Sequence, residues 1–342
     1  MKKNKTIIVI ACVFFVLLVS PALTFAAGSR QAAAPGLEQV NFRLDWLPSA
    51  YHAPVFVALE RGYWEEEGLS VDVRFGEGSI LTAQLVAGGG ADVGWANLTV
   101  MASAIQEGLP LRSIYGIYQR NALGVMVLEQ SGIRSARDLE GRSIVVTGTG
   151  EESVLIPLWL AFNDANADAI RLINIESREA RRAMFLRGEV DAMWETGFSN
   201  VPVLQAQTQD RINFVSISEG DRPMALLLQG IIAHTRTIEQ RPDMLRGFVA
   251  GLQRGFEYSI ENPGEAIDIM MARVPEMENR ELLLGILVNS FDLLQTDNTA
   301  GMPLGYYSPE DWVRTVELLD ALGRIQRELP LEAYYTNEFI TR

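Results

Sequence analysis

NFRLDWLPSAYHAPVFVALERGYWEEEGLSVDVRFGEGSILTAQLVAGGGADVGWAN, residues Asn41 to Asn97, alternates strand-like and helix-like segments and carries aromatic, amide and glycine residues at the strand exits. Phe42 to Trp46 reads as a short strand. Pro54 stands where a first-turn helical proline is tolerated, and the helix it opens runs through Val57 and Leu59 until Gly62 ends it. Val71, Val73 and Phe75 alternate with Asp72 and Arg74, the period of a strand with one buried face. Gly76-Glu77-Gly78-Ser79 follows, and then Ile80, Leu81, Leu85 and Val86 recur at helical spacing, so this loop presents free backbone N–H groups at a helix start. Ala91 to Trp95 is the next strand, with Asn97 as N-cap of a helix that Gly108 closes. This order implies a mainly parallel sheet with helices on both faces. Ligands bind such sheets beyond the carboxyl ends of the strands, where Trp46, Gly76 to Ser79 and Trp95 to Asn97 are expected to converge on one crevice.

A second unit of the same kind follows. Leu111 to Tyr118 and Leu123 to Leu128 are strand-like, and the strand Ser143 to Val146 leads into Thr147-Gly148-Thr149-Gly150-Glu151, a glycine loop before a helix like the one at Gly76. Ser177 suits the N-cap of a helix over Arg178 to Arg187, and Asp191 to Trp194 is the strand after it. Gly89-Gly90-Ala91-Asp92-Val93-Gly94-Trp95 and Gly188-Glu189-Val190-Asp191-Ala192-Met193-Trp194 share a helix-ending glycine, a strand with an aspartate, and an exit tryptophan. The fold class expected is α/β, with two doubly wound lobes joined by a two-crossing hinge and a ligand cleft between them. Ala225 to Ala233 is the strand expected to return the chain to the first lobe. Lobe 1 is therefore discontinuous, 39–120 plus 231–342, and lobe 2 is 121–230. The last third reads as helices over Pro242 to Ile260, Glu265 to Val274 and Arg280 to Phe291, with a final one opened by Ser308-Pro309-Glu310-Asp311. Two crossings permit hinge closure around a solute.

The ends and the composition bound the function. Residues 1–26 carry Lys2, Lys3 and Lys5, an apolar run from Ile7 to Val19 and a small-residue end at Thr24-Phe25-Ala26, the pattern of an export signal; 27–38 reads as a flexible mature N-terminus. Val9-Ile10-Ala11-Cys12 is similar to a lipoprotein cleavage box, but only Ile7 to Ala11 precede Cys12 and a long apolar run follows it, which suits ordinary cleavage near Ala26 better. Cleavage there removes the single cysteine, leaving roughly 315 residues to be stabilised by apolar cores. All three lysines lie within the first five residues, so 26 arginines oppose 43 carboxylates beyond them, a balance of −17. That charge argues against nucleic acid or an anionic membrane surface as partner. Absence of lysine also removes Schiff-base chemistry, and no cofactor is expected.

Candidate ligand contacts follow from position. Trp46, Trp95 and Trp194 sit at strand exits, where they would either stack on a planar heterocycle, worth roughly 0.5–1.5 kcal/mol per pair beyond burial, or pack between sheet and helix. Asp45 and Glu195 suit ring amino or N–H groups, or serve as surface carboxylates or caps. Tyr51 and His52 precede the Pro54 helix, and the imidazole would meet a ligand oxygen or cap the turn. Gly78 with Ser79, and Gly148 with Thr149, stand at helix starts that suit a phosphate, sulfonate or carboxylate as well as plain N-capping. Asn97 is placed for a ring edge or for capping, and Tyr118 for stacking or for the core. His52 and His234 are the only histidines and lie far apart, so no metal site is expected.

Leu44-Asp45-Trp46-Leu47-Pro48 with Tyr51-His52, Gly62-Tyr63-Trp64 with Glu67-Gly68-Leu69, Gly188 to Asp191, and Tyr335-Thr336-Asn337-Glu338-Phe339 carry a resemblance over nearly the whole mature chain. The chain resembles the substrate-binding proteins of ABC importers, specifically the family related to thiamine pyrimidine synthase, which includes thiamine-precursor, riboflavin and alkanesulfonate binders. The resemblance implies the type II periplasmic binding protein fold and a monomeric, exported receptor. Such a receptor passes a small heteroaromatic compound, of the thiamine pyrimidine precursor type, to an ABC permease and its ATPase. Riboflavin or an alkanesulfonate remains the alternative ligand, and presentation to a membrane sensor kinase the alternative partner. Membrane contact would then come only through the permease or a lipid anchor. In the eukaryotic synthases of this family a pyridoxal phosphate lysine and a sacrificed histidine lie on the segment similar to Gly94 to Met101, where this chain has Ala96 and Val100. A cysteine-rich iron-linked motif expected near Leu226 to Ile232 is absent as well. The resemblance therefore implies the transport branch and not an enzyme.

Overall fold

Val40 and Phe42 of the first strand are buried while Gln39 and Asn41 face outward, the period-two pattern that one-sided burial imposes. The structure, a computed structural model, describes residues 36–147, 152–207, 212–219, 223–326 and 329–341, all within one compact unit, Ala33–Arg342. The strands are β1 (Glu38–Arg43), β2 (Leu69–Arg74), β3 (Val93–Asn97), β4 (Leu111–Gly116), β5 (Leu123–Leu128), β6 (Ser143–Val146), β7 (Arg171–Asn174), β8 (Ala192–Thr196), β9 (Ile212–Ser216) and β10 (Gln229–His234). The helices are α1 (Ala53–Glu60), α2 (Tyr63–Glu66), α3 (Ser79–Ala87), α4 (Leu98–Gln106), α5 (Glu152–Phe162), α6 (Arg178–Leu186), α7 (Gly197–Gln207), α8 (Thr235–Gln240), α9 (Pro242–Glu261), α10 (Pro263–Arg273), α11 (Arg280–Phe291) and α12 (Pro309–Ala321).

The described strands form two five-stranded sheets, ordered β2-β1-β3-β10-β4 and β7-β6-β8-β5-β9. Each is parallel except at its fourth position, where β10 and β5 run antiparallel to both neighbours. Because β10 returns between β3 and β4, the whole second sheet is inserted into the chain of the first. The chain crosses at 117–122 and 217–228. Tyr118 O accepts from both Leu228 N (3.1 Å) and Gln229 N (2.8 Å), and Ile117 N donates to Gln229 O at 2.9 Å, so the two crossings are tied side by side.

Five strand boundaries differ from the sequence reading. Strands β3 and β8 lie later than the expected Ala91 to Trp95 and Asp191 to Trp194, which puts Trp95 and Trp194 within their strands and not at the exits. The first strand lies at Glu38–Arg43, ahead of the expected Phe42 to Trp46, because Leu44 N closes the ladder on Arg74 O (2.8 Å) and the chain then turns. The strand expected over Leu111 to Tyr118 stops at Gly116, where the crossing begins. Ala225 to Leu228 is apolar but belongs to the crossing, where Leu226, Leu227 and Leu228 are buried without joining the sheet.

The internal echo occupies the same place in both sheets. Gly89 (φ 77°) and Gly188 (φ 69°) end α3 and α6 in the left-handed conformation that glycine adopts without steric cost. Asp92 precedes the central strand β3 and accepts Asn41 N at 2.8 Å, while Asp191 precedes β8 and accepts Ser143 N at 2.8 Å. In both, the aspartate's own N–H returns to the neighbour's carbonyl, Asn41 O at 2.9 Å and Ser143 O at 3.1 Å. Each carboxylate thus satisfies a backbone donor of the strand beside it, Asn41 within β1 and Ser143 at the start of β6.

The C-terminal helices buttress the first sheet. On α9, a Cβ at Gly251 would lie 2.3 Å from Trp64 Cδ1, so only glycine permits this approach, and Trp64 Nε1 donates to Phe248 O at 2.8 Å. Helices α10 and α11 pack with α1 in a separate apolar cluster, and α7 of the second sheet packs against α11. The tail adds Tyr335, bridged to Ser113 and stacked on Trp312 at 5.4 Å. No described helix is long and apolar enough to cross a membrane. Asp191→Ala should lower unfolding stability by about 1–2 kcal/mol through loss of the bonds to Ser143, and Asp92→Ala should add independently because it acts in the other sheet. Denaturant unfolding of the single and double variants checks both statements.

Candidate functional site

Where β1 ends, the chain turns inward and buries Asp45. Asp45 Oδ1 accepts from His52 Nε2 at 2.8 Å and Oδ2 from Gln229 Nε2 at 2.7 Å; Gln229 Oε1 in turn accepts from Trp95 Nε1 at 3.0 Å. His52 Nδ1 accepts Ser49 N at 3.1 Å, which leaves the ring proton on Nε2 facing the carboxylate. One buried chain of bonds therefore joins the exit of β1, the turn before α1, β3 and β10.

Tyr51 lies over this chain. Its ring is 4.1 Å from that of His52, 6.1 Å from Trp95, 6.0 Å from Tyr118 and 5.7 Å from Phe198. Tyr118 donates its hydroxyl to Tyr51 O at 2.9 Å, and burial pushes the phenol's pKa far above its usual value, so that donor persists across accessible pH. Phe198 comes from the first turn of α7, beyond β8, and is also 5.7 Å from Tyr118. The exits of β1 and β3 thus face the exit of β8 across a set of rings.

The three loops of the first sheet converge as expected. Gly76 N donates to Trp46 O (3.0 Å), Gly78 N to Asp45 O (2.8 Å), and Asn97 N to Ser79 Oγ (2.9 Å). A Cβ at Gly76 would lie 2.1 Å from Leu44 O, so this crossing of loops demands glycine. Asn97 caps α4 through Oδ1, which accepts Thr99 N at 2.8 Å. Trp46 is 43% exposed and lies over Gly78; Leu47, Phe75, Ile80 and Leu81 of the same loops and helix start are exposed as well. Trp95 and Trp194, expected to offer faces to a guest, are buried. The rings of Tyr51, His52 and Phe256 of α9 pack around Trp95, and both tryptophans belong to the same apolar core. Gly148 and Thr149 lie outside the described residues. His234 Nδ1 accepts Arg236 N at 2.9 Å at the far end of β10, beside a cavity of about 220 Å³ that has none of the aromatic set in its lining.

Glu195 is 7% exposed, and its Oε1 has no hydrogen-bond partner among the described residues. Burial pushes its pKa up, against the opposing pull of Arg178, Arg181 and Arg182 on α6. Phe198, Gln229 and Arg182 were not singled out from the sequence. A lone amide within Ala225-Leu226-Leu227-Leu228-Gln229-Gly230-Ile231-Ile232 was a usable signal for Gln229, while Phe198 becomes meaningful only once the sheets face each other. Among the described residues no group of three His, Cys, Asp or Glu could hold a metal ion.

The profile of the NMT1/THI5-like family matches residues 49–266. The riboflavin-binding protein RibY of Chloroflexus aurantiacus is 27% identical over 94% of this chain and 91% of its own length. The formylaminopyrimidine-binding protein of Halalkalibacterium halodurans is 24% identical over 97% of this chain and 99% of its own. A 4-amino-5-hydroxymethyl-2-methylpyrimidine phosphate synthase of Legionella pneumophila is 21% identical over 88% of this chain and 92% of its own. Among solved structures, the periplasmic aliphatic sulphonate binding protein SsuA of Escherichia coli superposes with a TM-score of 0.68 at 12% identity, covering 90% of this chain and 93% of that one. The fold is thus the two-lobe type II periplasmic binding protein architecture.

Glu195 gives the site a pH signature. A carboxyl whose folded pKa is raised stabilises the fold at low pH and loses that contribution as pH rises through the folded value. The melting temperature of Glu195→Gln, relative to the wild type, should therefore climb as pH rises through and above the ordinary carboxylate range. If the wild type instead gained on the variant over that range, the arginines would be holding the carboxylate ionised. Thermal melts across pH check it.

Proposed function

The chain belongs to the NMT1/THI5-like family, and from that membership we propose that it is an exported solute receptor that closes on a small heteroaromatic compound without altering it. The observation that carries the reading is the ring set Tyr51, Tyr118 and Phe198, drawn from both sheets and meeting at the strand exits. Rotation of one lobe would withdraw Phe198 and expose the faces of Tyr51 and Tyr118 to a flat guest. Relatives named for binding riboflavin and formylaminopyrimidine support a planar, nitrogen-rich ligand, and we take the aminopyrimidine, thiamine-precursor type as the leading one.

On this reading Trp46, Tyr51, Tyr118, Phe198 and Glu195 contact the ligand, and the buried Trp194 supports them from the core. Gly78, Ser79 and Asn97 shape the floor, and Gly148 and Thr149 are assigned to the ligand from the sequence pattern alone. Asp45, His52 and Trp95 act by fixing Tyr51, since their polar atoms are already engaged with one another and with Gln229 and Ser49. The lobes are assigned as 39–120 plus 231–342 and 121–230; the membership of the two sheets supports this division except at Glu38, Gln229 and Gly230, which pair in the first sheet. The charged, apolar and small-residue succession in 1–26 supports export, and an ABC permease with its ATPase is the proposed recipient. An alkanesulfonate is less favoured, because the sulfonate binder shares only the fold. Synthase activity of the pyridoxal type is disfavoured because every lysine lies in positions 2 to 5.

Titration of the purified protein with an aminopyrimidine and with riboflavin should change its intrinsic tryptophan fluorescence saturably. Phe198→Ala should weaken that binding by about threefold to tenfold, the value of one aromatic pair. A response to alkanesulfonates alone would overturn the heteroaromatic assignment.

A further inference from the structure

Two polar atoms near the exit of β8 are buried without a partner among the described residues, Glu195 Oε1 and Arg182 Nε. The rest of Arg182 is lightly used: its NH2 reaches Asn200 Oδ1 at 3.3 Å. Its neighbour Arg181 is committed, with NH1 donating to Ile175 O and Glu176 O at 2.8 Å each. Arg178, Arg181 and Arg182 are the charged groups that act on the Glu195 carboxyl, and all lie in the first two turns of α6. A buried acceptor and a buried donor left unmade each carry a desolvation penalty that only a complementary partner offsets. Glu195 stands three residues before Phe198, the ring that meets Tyr51, and Arg182 reaches Asn200, two residues after it.

Resting on the receptor reading above, we propose that Glu195 and Arg182 are specificity-determining residues. They read the edge of a heterocycle on which an N–H donor stands beside a lone-pair acceptor. The Glu195 carboxylate takes the N–H, and the Arg182 guanidinium gives a hydrogen to the acceptor. A 4-aminopyrimidine offers this edge through its amine and the adjacent ring nitrogen, and a flavin offers it through the imide N–H and a flanking carbonyl. An alkanesulfonate offers acceptors only and would leave the carboxylate unpaired. A site that hydrogen-bonds a specific N–H discriminates against an analogue lacking it more sharply than an apolar pocket can.

Calorimetric titration with 4-amino-5-hydroxymethyl-2-methylpyrimidine and its 4-dimethylamino analogue, and with riboflavin and its N3-methyl derivative, tests the assignment. The wild type should prefer the N–H form of whichever pair it binds by at least about tenfold. Glu195→Gln should weaken the N–H form by about tenfold to a hundredfold and leave the methylated form unchanged, whereas Arg182→Gln should weaken both. Equal wild-type affinity for both members of a pair overturns the proposal without any variant having to fold. A folded Glu195→Gln or Arg182→Gln, checked by circular dichroism and melting, that binds like wild type overturns it for that residue and leaves the receptor reading intact. Failure of the wild type to bind either pair overturns both.

Discussion

The site depends on one buried carboxylate. Asp45 holds His52 with one oxygen and Gln229 with the other, and Gln229 passes the constraint to Trp95. An isolated ionised carboxylate in this position would be prohibitively costly, so its neighbours are bound to supply donors, and those donors come from separate parts of the chain. The outcome is positional. Tyr51 is fixed by its neighbour His52 below it and by the Tyr118 hydroxyl on its carbonyl, so a surface turn acquires the rigidity of the sheet beneath. Asp45, His52 and Trp95 thus serve recognition by holding other groups still, in preference to touching a guest themselves.

Above that constraint stands a repeated design. Both sheets place an antiparallel strand in fourth position, and both brace a backbone N–H of a neighbouring strand with an aspartate that follows a left-handed glycine. The two halves diverge where they meet the cleft. The first lines its exits with rings and loops bonded to one another, while the second brings a carboxyl and guanidinium whose atoms are not all satisfied. A rigid aromatic wall opposed to a polar one suits a guest that is flat on its faces and hydrogen-bonding at its edge.

Much of this was legible in the sequence because it is written in local periodicity. Ser177 before α6 and Ser308 before α12 mark helix starts by side chains that cap them, and the Gly89 to Trp95 echo identified equivalent points in two sheets. Convergence of Trp46, Gly78 and Asn97 followed from strand order alone. Accessibility did not follow. A tryptophan expected at a strand exit reads alike whether a neighbouring turn covers it, as at Trp95, or leaves it bare, as at Trp46, and that difference comes from α9 and from residues 50–52 folding back. Apolar Ala225 to Leu228 imitates a strand for a related reason. It is buried by the crossing it belongs to, and burial without pairing has no distinct pattern in composition.

The shared acceptor at Tyr118 O has a mechanical meaning. Leu228 N and Gln229 N both end on this one oxygen, so the outgoing and returning connections are pinned at a common point and cannot flex separately. Turning of one half against the other would then pivot on an axle near residue 118. The phenol of the same residue carries Tyr51, which places the recognition surface on the axle itself, where displacement is smallest. Opening would then sweep the far wall away while the near one stays assembled, so the empty protein keeps half of its grip ready-made and spends little entropy on rebuilding it.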